Sequence, residues 1–365
     1  MRRLCFSPAW RLITLCLLPG ALSAQPPGSM LDTEHYRLQP VAVATGLDVP
    51  WGMAFLPDGR ILVTERAGRL RVIENGRLLP APVAGLPAVA AHGQGGLLDV
   101  ALDPDFEREP WVYWSYTAED RGRFGTEVAR GRLAGRGTNT RLEDVEIIFQ
   151  QQPKLTSGQH FGSRLVFDRE RRLFITLGDR GQMKEAQNPE HHIGKIMRLD
   201  SQRRAEIFSL GNRNVQGAAL HPTTGELWAH EHGPQGGDEL NIIRQSRNYG
   251  WPVVTHGVNY GSGTRIGEGS SKSGMEPPLW TWLPRSIAPS GMTFVTSARY
   301  PRWNGQLLIG SLQAPGLVRL VLQGNQVQRE ERIALGRVRD VRQAPDGFIY
   351  VLSETQGALL RLEPR

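Results

Sequence analysis

Pro57-Asp58-Gly59-Arg60-Ile61-Leu62-Val63-Thr64 sets the pattern of this chain: a tight turn on Asp-Gly, then a short apolar run. Glycine accepts positive φ without steric cost, which is why Asp-Gly and Asn-Gly pairs favour such turns. The pattern returns at Thr224-Gly225-Glu226 before Leu227–His230, at Asn304-Gly305 before Leu307–Gly310 and at Pro345-Asp346-Gly347 before Phe348–Leu352. Trp111–Tyr116 and Leu173–Thr176 read as strands of the same kind. The six segments begin at residues 61, 111, 173, 227, 307 and 348. Their mean spacing of roughly 57 residues suits a repeating four-stranded unit. The longest interval holds the Gly/Ser-rich stretch 260–274, read as a large loop. Helical periodicity is almost absent. The expected fold is all-β, a six-bladed β-propeller of four-stranded antiparallel blades. So many strands exceed one ordinary sandwich, and radial closure protects sheet edges. Segment 36–43 is expected to close the ring against 357–362.

Residues 1–24 read as a secretory signal peptide. Arg2, Arg3 and Arg11 are basic, Leu12–Leu22 is an apolar run too short to span a bilayer, and Ala21, Ser23 and Ala24 sit where a peptidase cuts. The mature chain is then 25–365, a single propeller domain without a membrane span, periplasmic or secreted. Both cysteines, Cys5 and Cys16, fall in the leader, which leaves no disulfide, thiol nucleophile or thiolate ligand. The chain carries 43 Lys and Arg against 36 Asp and Glu, and the leader holds three of the basic residues. The remainder is scattered among acidic residues, as in Arg329–Arg332. This balance calls for no nucleic acid and fits an anionic small ligand.

Four segments join polar residues to glycines beside strands: 92–96, 157–162, 211–217 and 231–239. Loops on one face of a propeller converge on its axis, so polar groups from several blades can build one pocket. His160 is the best candidate base, because imidazole takes a proton at neutral pH. It precedes an expected strand, Ser163–Phe167. Asp179 follows the next strand, and a hairpin returns it to the His160 end, where a carboxylate could orient the ring. The loop from Glu231 through Gly233, Pro234, Asp238 and Glu239 is rich in oxygen ligands of the kind Ca²⁺ accepts, though its spacing is not that of an EF-hand. Arg213, Arg337 and Arg339 could fork onto ligand carboxylates. The scattered histidines lack a zinc motif, and no Gly-x-Ser-x-Gly elbow, dinucleotide fingerprint or phosphate loop occurs in a suitable context. Trp111, Trp114, Trp280 and Trp282 read as blade core or cleft wall.

Seven motifs in order, at 92–100, 159–168, 178–181, 192–199, 210–220, 233–252 and 337–350, resemble the soluble periplasmic aldose sugar dehydrogenases that use pyrroloquinoline quinone (PQQ). These belong with the soluble quinoprotein glucose dehydrogenases. The resemblance covers roughly Val41 to Leu362 and implies a six-bladed propeller with the quinone near the axis. It implies that His160 takes the C1 hydroxyl proton of the sugar, that Asp179 supports it and that Arg213 lies beside the reactive quinone carbonyl. It implies further that Gln94 and Asn214 touch cofactor or sugar, and that Arg337 and Arg339 meet cofactor carboxylates. Gly233 and Pro234 are implied as carbonyl ligands of Ca²⁺, and Glu239 with the Tyr249 carbonyl as ligands of a second, structural Ca²⁺. Three positions depart from the glucose-specific pattern. Gln159 replaces an aspartate, His232 a glutamine, and Gln313 stands in a region that often supplies a lysine to the quinone.

The expected activity is oxidation of aldose sugars at C1 to lactones, with electrons passed to a separate acceptor. The chain lacks Cys-x-x-Cys-His and so carries no c-type haem. Two alternatives stand beside it: a non-catalytic extracellular binding propeller and a calcium-dependent propeller lactonase. The arginines at 213, 337 and 339 separate the first reading from the lactonase, because they suit an anionic quinone.

Overall fold

Ile61-Leu62-Val63-Thr64-Glu65 is buried at every position because both faces of its strand meet protein. Leu62 packs with Val100, Val112 and Trp114 on one side; Ile61 and Val63 pack with Tyr350 and Leu352 on the other. A blade held between two others demands such two-sided burial, which is why the segments read as near-continuous apolar runs. The computed structural model describes residues 29–313 and 316–365. The expected leader and its cleavage site lie outside the described residues.

Among the described residues the strands form six sheets, as expected for a six-bladed propeller. Blade 1 starts with Pro50–Phe55 and Ile61–Glu65, blade 2 with Leu97–Leu102 and Trp111–Asp120, and blade 3 with Leu165–Phe167 and Leu173–Thr176. Blade 4 starts with Val215–Leu220 and Leu227–Glu231, blade 5 with Pro289–Phe294 and Leu307–Ser311, and blade 6 with Val338–Gln343 and Ile349–Ser353. The six segments singled out in the sequence are thus the second strand of every blade. The first strands touch one another in cyclic order, with blade 6 meeting blade 1. Four sheets have four strands and two have a fifth. Arg247–Asn248 adds parallel to Ala205–Leu210 in blade 3, and Leu31–Asp32 pairs with Arg37–Thr45 in blade 6.

Closure follows the expected route. Arg37–Thr45 pairs antiparallel with Ala358–Pro364, Val41 opposite Arg361. A separate apolar core fills the gap between each pair of neighbouring blades. Trp111, Trp114 and Trp282 are buried in these cores and Trp280 packs against one. The stretch 260–274 contains no strand, as its composition indicated. One boundary differs: the strand expected from Ser163 begins at Leu165. Ser163 sits at a φ of 93° and its hydroxyl donates back to the Phe161 carbonyl, so it belongs to the preceding loop.

Near the axis, Arg164 Nη1 lies 2.9 Å from Asp99 Oδ1 and 3.3 Å from Asp340 Oδ1. Arg342 Nη2 lies 2.6 Å from the same Asp99 oxygen and its Nε 2.9 Å from Asp340 Oδ2. This buried network ties blades 2, 3 and 6 together. Removing one member would strand a charge, the costly way to break such a network.

Candidate functional site

The turns that enter each blade and those that follow its second strand lie at one end of the ring. The Asp-Gly turns lie at the other. At the first end is a cavity of about 910 Å³, lined by Gln94, Gln159, His160, Arg213, His232, Gly233, Asp238, Ser286 and Gln313 among others. These residues come from blades 2 to 5.

Backbone geometry brings His160 and Asp179 together. His160 has a φ of 51°, and a Cβ on Gly178 would lie 1.9 Å from the His160 carbonyl oxygen. Only glycine permits that approach. The His160 amide donates to Gln94 Oε1 at 2.9 Å, fixing the loop from blade 2. His160 Nδ1 lies 2.6 Å from Asp179 Oδ1. That oxygen also accepts from the Gly181 amide at 2.8 Å, and Asp179 Oδ2 accepts from Trp251 Nε1 at 2.7 Å. Burial alone would raise the Asp179 pKa, but the bond from His160 and the nearby positive charges hold it below the ordinary carboxylate value. An ionised carboxylate only accepts, so Nδ1 of His160 carries the proton and Nε2 presents a lone pair.

Arg180, fully buried, clamps the same loop from behind. Its guanidinium donates to the carbonyls of Gln159 at 2.7 Å and Phe124 at 2.8 Å, and to that of Ser157. It lies 3.7 Å over the Phe161 ring. Burial pushes its pKa down to about 10.

Arg213 Nη1 donates to the His232 carbonyl at 2.9 Å, and its guanidinium lies 5.3 Å from the Trp251 ring centre. Its amide donates to Glu231, which also accepts from Asn212 Nδ2 at 3.3 Å and the Asn214 amide at 3.3 Å. Asn214 is buried behind the cavity wall, its Oδ1 accepting from the Gly162 amide at 3.2 Å and Gln216 Nε2 at 3.3 Å. His232 Nε2 donates to the Pro289 carbonyl at 2.8 Å. Burial pushes its pKa down to about 3, so it is neutral and offers Nδ1 as an acceptor.

Arg337 and Arg339 stand at the start of blade 6, where both pair with Glu354. Arg337 Nη2 lies 3.2 Å from Glu354 Oε1 and Arg339 Nη2 3.0 Å from Oε2. Arg337 Nη1 also reaches the Leu312 carbonyl at 2.8 Å, beside exposed Gln313. Burial disfavours the Arg339 charge and lowers its pKa, which Glu354 offsets only in part.

Gly233 lines the cavity, and a Cβ there would lie 2.2 Å from the Gly237 carbonyl oxygen, so its tight loop requires glycine. Its amide donates to Asp238 Oδ1 at 2.8 Å, while the Pro234 carbonyl accepts from Ser286 Oγ at 3.3 Å. Glu239 and Tyr249 do not join this cavity. They line a second space of about 20 Å³ with Thr255, Ser270 and Ser271, room for a single water or ion. Glu239 lies directly opposite Glu231 across the blade 4 hairpin. Burial and then the charge of Glu231 push its pKa well up. Among the described residues no three His, Cys, Asp or Glu side chains converge as a metal cluster. The donors present are carbonyls and carboxylates, hard oxygens that suit Ca²⁺ rather than zinc.

Sequence reading missed Trp251, Arg180 and Glu354. Trp251 lay within a recognised motif, yet nothing in its spacing ties it to Asp179. Glu354 follows the second strand of blade 6, the place equivalent to Asp179 in blade 3, which could have flagged it.

Comparison with known proteins agrees with this architecture. The model of the Glucose / Sorbosone dehydrogenase family matches residues 47–361. The chain is 44% identical over 376 residues to the aldose sugar dehydrogenase YliI of Escherichia coli strain K12, covering 97% of this chain and 98% of that one. The crystal structure of the soluble aldose sugar dehydrogenase from Escherichia coli in the apo-form superposes with a TM-score of 0.85 at 42% identity, covering 90% of this chain and 100% of that one. The PQQ-bound aldose sugar dehydrogenase from Streptomyces coelicolor gives a TM-score of 0.75 at 26% identity, covering 93% and 100%. Sequence, fold and coverage together show that the chain belongs to the Glucose / Sorbosone dehydrogenase family.

Proposed function

We propose that this chain oxidises aldose sugars at C1 to the corresponding lactones with bound PQQ and Ca²⁺, in the periplasm or outside the cell, and passes the electrons to a separate acceptor. The observation that carries this reading is the His160–Asp179 pair at the wall of a cavity that also holds Arg213. The residues present fit the cofactors. Arg213, Arg337 and Arg339 supply cationic forks for quinone carboxylates, with Gln94, Asn214 and Gln313 as neutral partners. The Gly233 and Pro234 carbonyls would hold one Ca²⁺, and Glu239 with the Tyr249 carbonyl a second. Bound there, the quinone would supply the hydride acceptor for C1, and Ca²⁺ would favour negative charge on the quinone oxygen.

The protein's own part is proton transfer and charge placement. His160 Nε2 takes the C1 hydroxyl proton, and Asp179 stabilises the imidazolium that forms. Arg213 places positive charge where negative charge develops. Neutral His232 and Gln94 offer hydrogen bonds to sugar hydroxyls.

An absorbance titration of metal-free protein with PQQ and Ca²⁺, followed by glucose, tests the proposal. Sugar-dependent reduction of bound quinone is expected. Quinone that binds but stays oxidised with every aldose tried would favour the binding-propeller alternative. Turnover of a lactone without quinone would favour the lactonase.

A further inference from the structure

We infer that the indole N–H of Trp251 is the group that fixes the proton on His160 rather than on Asp179, making Trp251 a positioning residue for the base. The inference rests on the reading of His160 as the base that receives the sugar proton.

Asp179 is 1% exposed, so its oxygens are satisfied by protein. Oδ1 faces two donors, His160 Nδ1 at 2.6 Å and the Gly181 amide at 2.8 Å. Oδ2 faces the third, Trp251 Nε1 at 2.7 Å. An indole nitrogen donates and never accepts. A proton placed on Oδ2 would therefore point at another N–H, and one on Oδ1 would displace two donors. The neutral acid has no good place for its hydrogen. The carboxylate stays charged, Nδ1 of His160 keeps its proton, and Nε2 is left free for the substrate. Without Trp251, Oδ2 would be a buried acceptor without its donor, the expensive state of a hydrogen bond.

Trp251 is itself held at several points. Its backbone amide donates to the Gly211 carbonyl at 2.9 Å, and its backbone carbonyl accepts from Gln187 Nε2 at 2.7 Å. Its ring packs with Ala186 and Ile266. The face of the same ring meets the Arg213 guanidinium at 5.3 Å. One side chain thus touches both the base pair and the arginine proposed to lie at the quinone. The other charged or titratable groups acting on this pair are Arg180, beside Asp179, and His232, which faces His160.

Loss of the indole donor would leave more of the Asp179 charge to its bond with His160. That stabilises the imidazolium and moves the His160 ionisation upward. A Trp251 that served only as packing would lower stability or rate without moving that ionisation.

The experiment uses the full chain labelled with ¹⁵N-tryptophan and ¹³C-histidine. In the parent, the Trp251 indole resonance should titrate with the same midpoint as the His160 ring, a reading that needs no variant and no turnover. In Trp251→Phe, the His160 midpoint should rise by about half a pH unit or more. With PQQ, Ca²⁺ and glucose, the acid limb of kcat/KM should move the same way. The variant's kcat should fall about 10-fold at neutral pH, with KM changing less. In an Asp179→Asn background, Trp251→Phe should shift neither quantity further. An indole resonance flat across the His160 titration, or an unmoved midpoint in folded Trp251→Phe, overturns the inference. If the parent itself fails to reduce bound quinone with any aldose, it is the assignment of His160 that falls, while the indole titration still reports on the hydrogen bond.

Discussion

Replacing His160 by Gln keeps a polar side chain of similar reach and removes the ability to take a proton near neutral pH. His160→Gln is expected to bind PQQ and Ca²⁺ as the parent does and to lose roughly 10²-fold or more in quinone reduction by sugar. Pre-steady-state absorbance measures that step apart from electron transfer to the acceptor, and a parent-like rate would move the base elsewhere. Asp179 stays ionised because its folded-state pKa is depressed. Its orienting effect is therefore present above its ordinary pKa and lost as pH falls through the lowered one. At the start of blade 6, Arg339 meets Glu354 at 3.0 Å. Arg339→Ala removes a geometrically specific fork that lysine would not replace. It should weaken PQQ binding in a titration more than it lowers the thermal midpoint of the cofactor-free protein. Equal PQQ affinity in variant and parent would show that this arginine serves only Glu354.

The segment 178–195 shows how one element builds part of the site. It leaves the second strand of blade 3 with Asp179 and Arg180, makes a short 3₁₀ turn over Met183–Gln187, and returns at Lys195. Lys195 is fully buried, and its ammonium donates to the carbonyls of Glu185 at 2.9 Å, Ala186 at 2.9 Å and Ile193 at 2.7 Å. It supplies donors where this irregular segment has carbonyls to satisfy. The turn in exchange places Gln187 against Trp251. Lys195→Met would orphan three carbonyls, with an expected loss of about 3 kcal/mol or more. Burial pushes the Lys195 pKa down to about 8 from 10.5. The unfolded chain then binds more protons between those values, so this residue makes stability rise with pH across that window. Urea unfolding of parent and Lys195→Met at several pH values checks this. Their stability difference should vary between pH 8 and 10.5 in the stated direction. A constant difference would mean the amine does not titrate there.

Across the whole molecule, the fold was legible because its repeat is written locally: each second strand follows a turn and is apolar on both faces. The His160–Asp179 meeting was legible too, since one hairpin relates them. Trp251 and Asp179 are 72 residues apart, and only the return of Arg247–Asn248 to the edge of blade 3 brings them together. Gln94 beneath His160, 66 residues away, is brought there by the packing of blade 2 against blade 3. Ring closure itself depends on a strand from the other end of the chain. Arg37–Thr45 covers Ala358–Pro364, which would otherwise be an exposed edge. Leu38 is the anchor of that strand, fully buried among Trp303, Ile349, Leu360 and Leu362 between blades 5 and 6. Leu38→Ala should cost about 3 kcal/mol, since the surrounding strands are paired and cannot collapse onto the void. If closure is cooperative, the loss appears as a lower urea midpoint in a single transition, and tryptophan fluorescence and far-ultraviolet dichroism coincide. The two probes separating, with fluorescence changing first, would instead mean that the N-terminal strand peels from an otherwise intact ring.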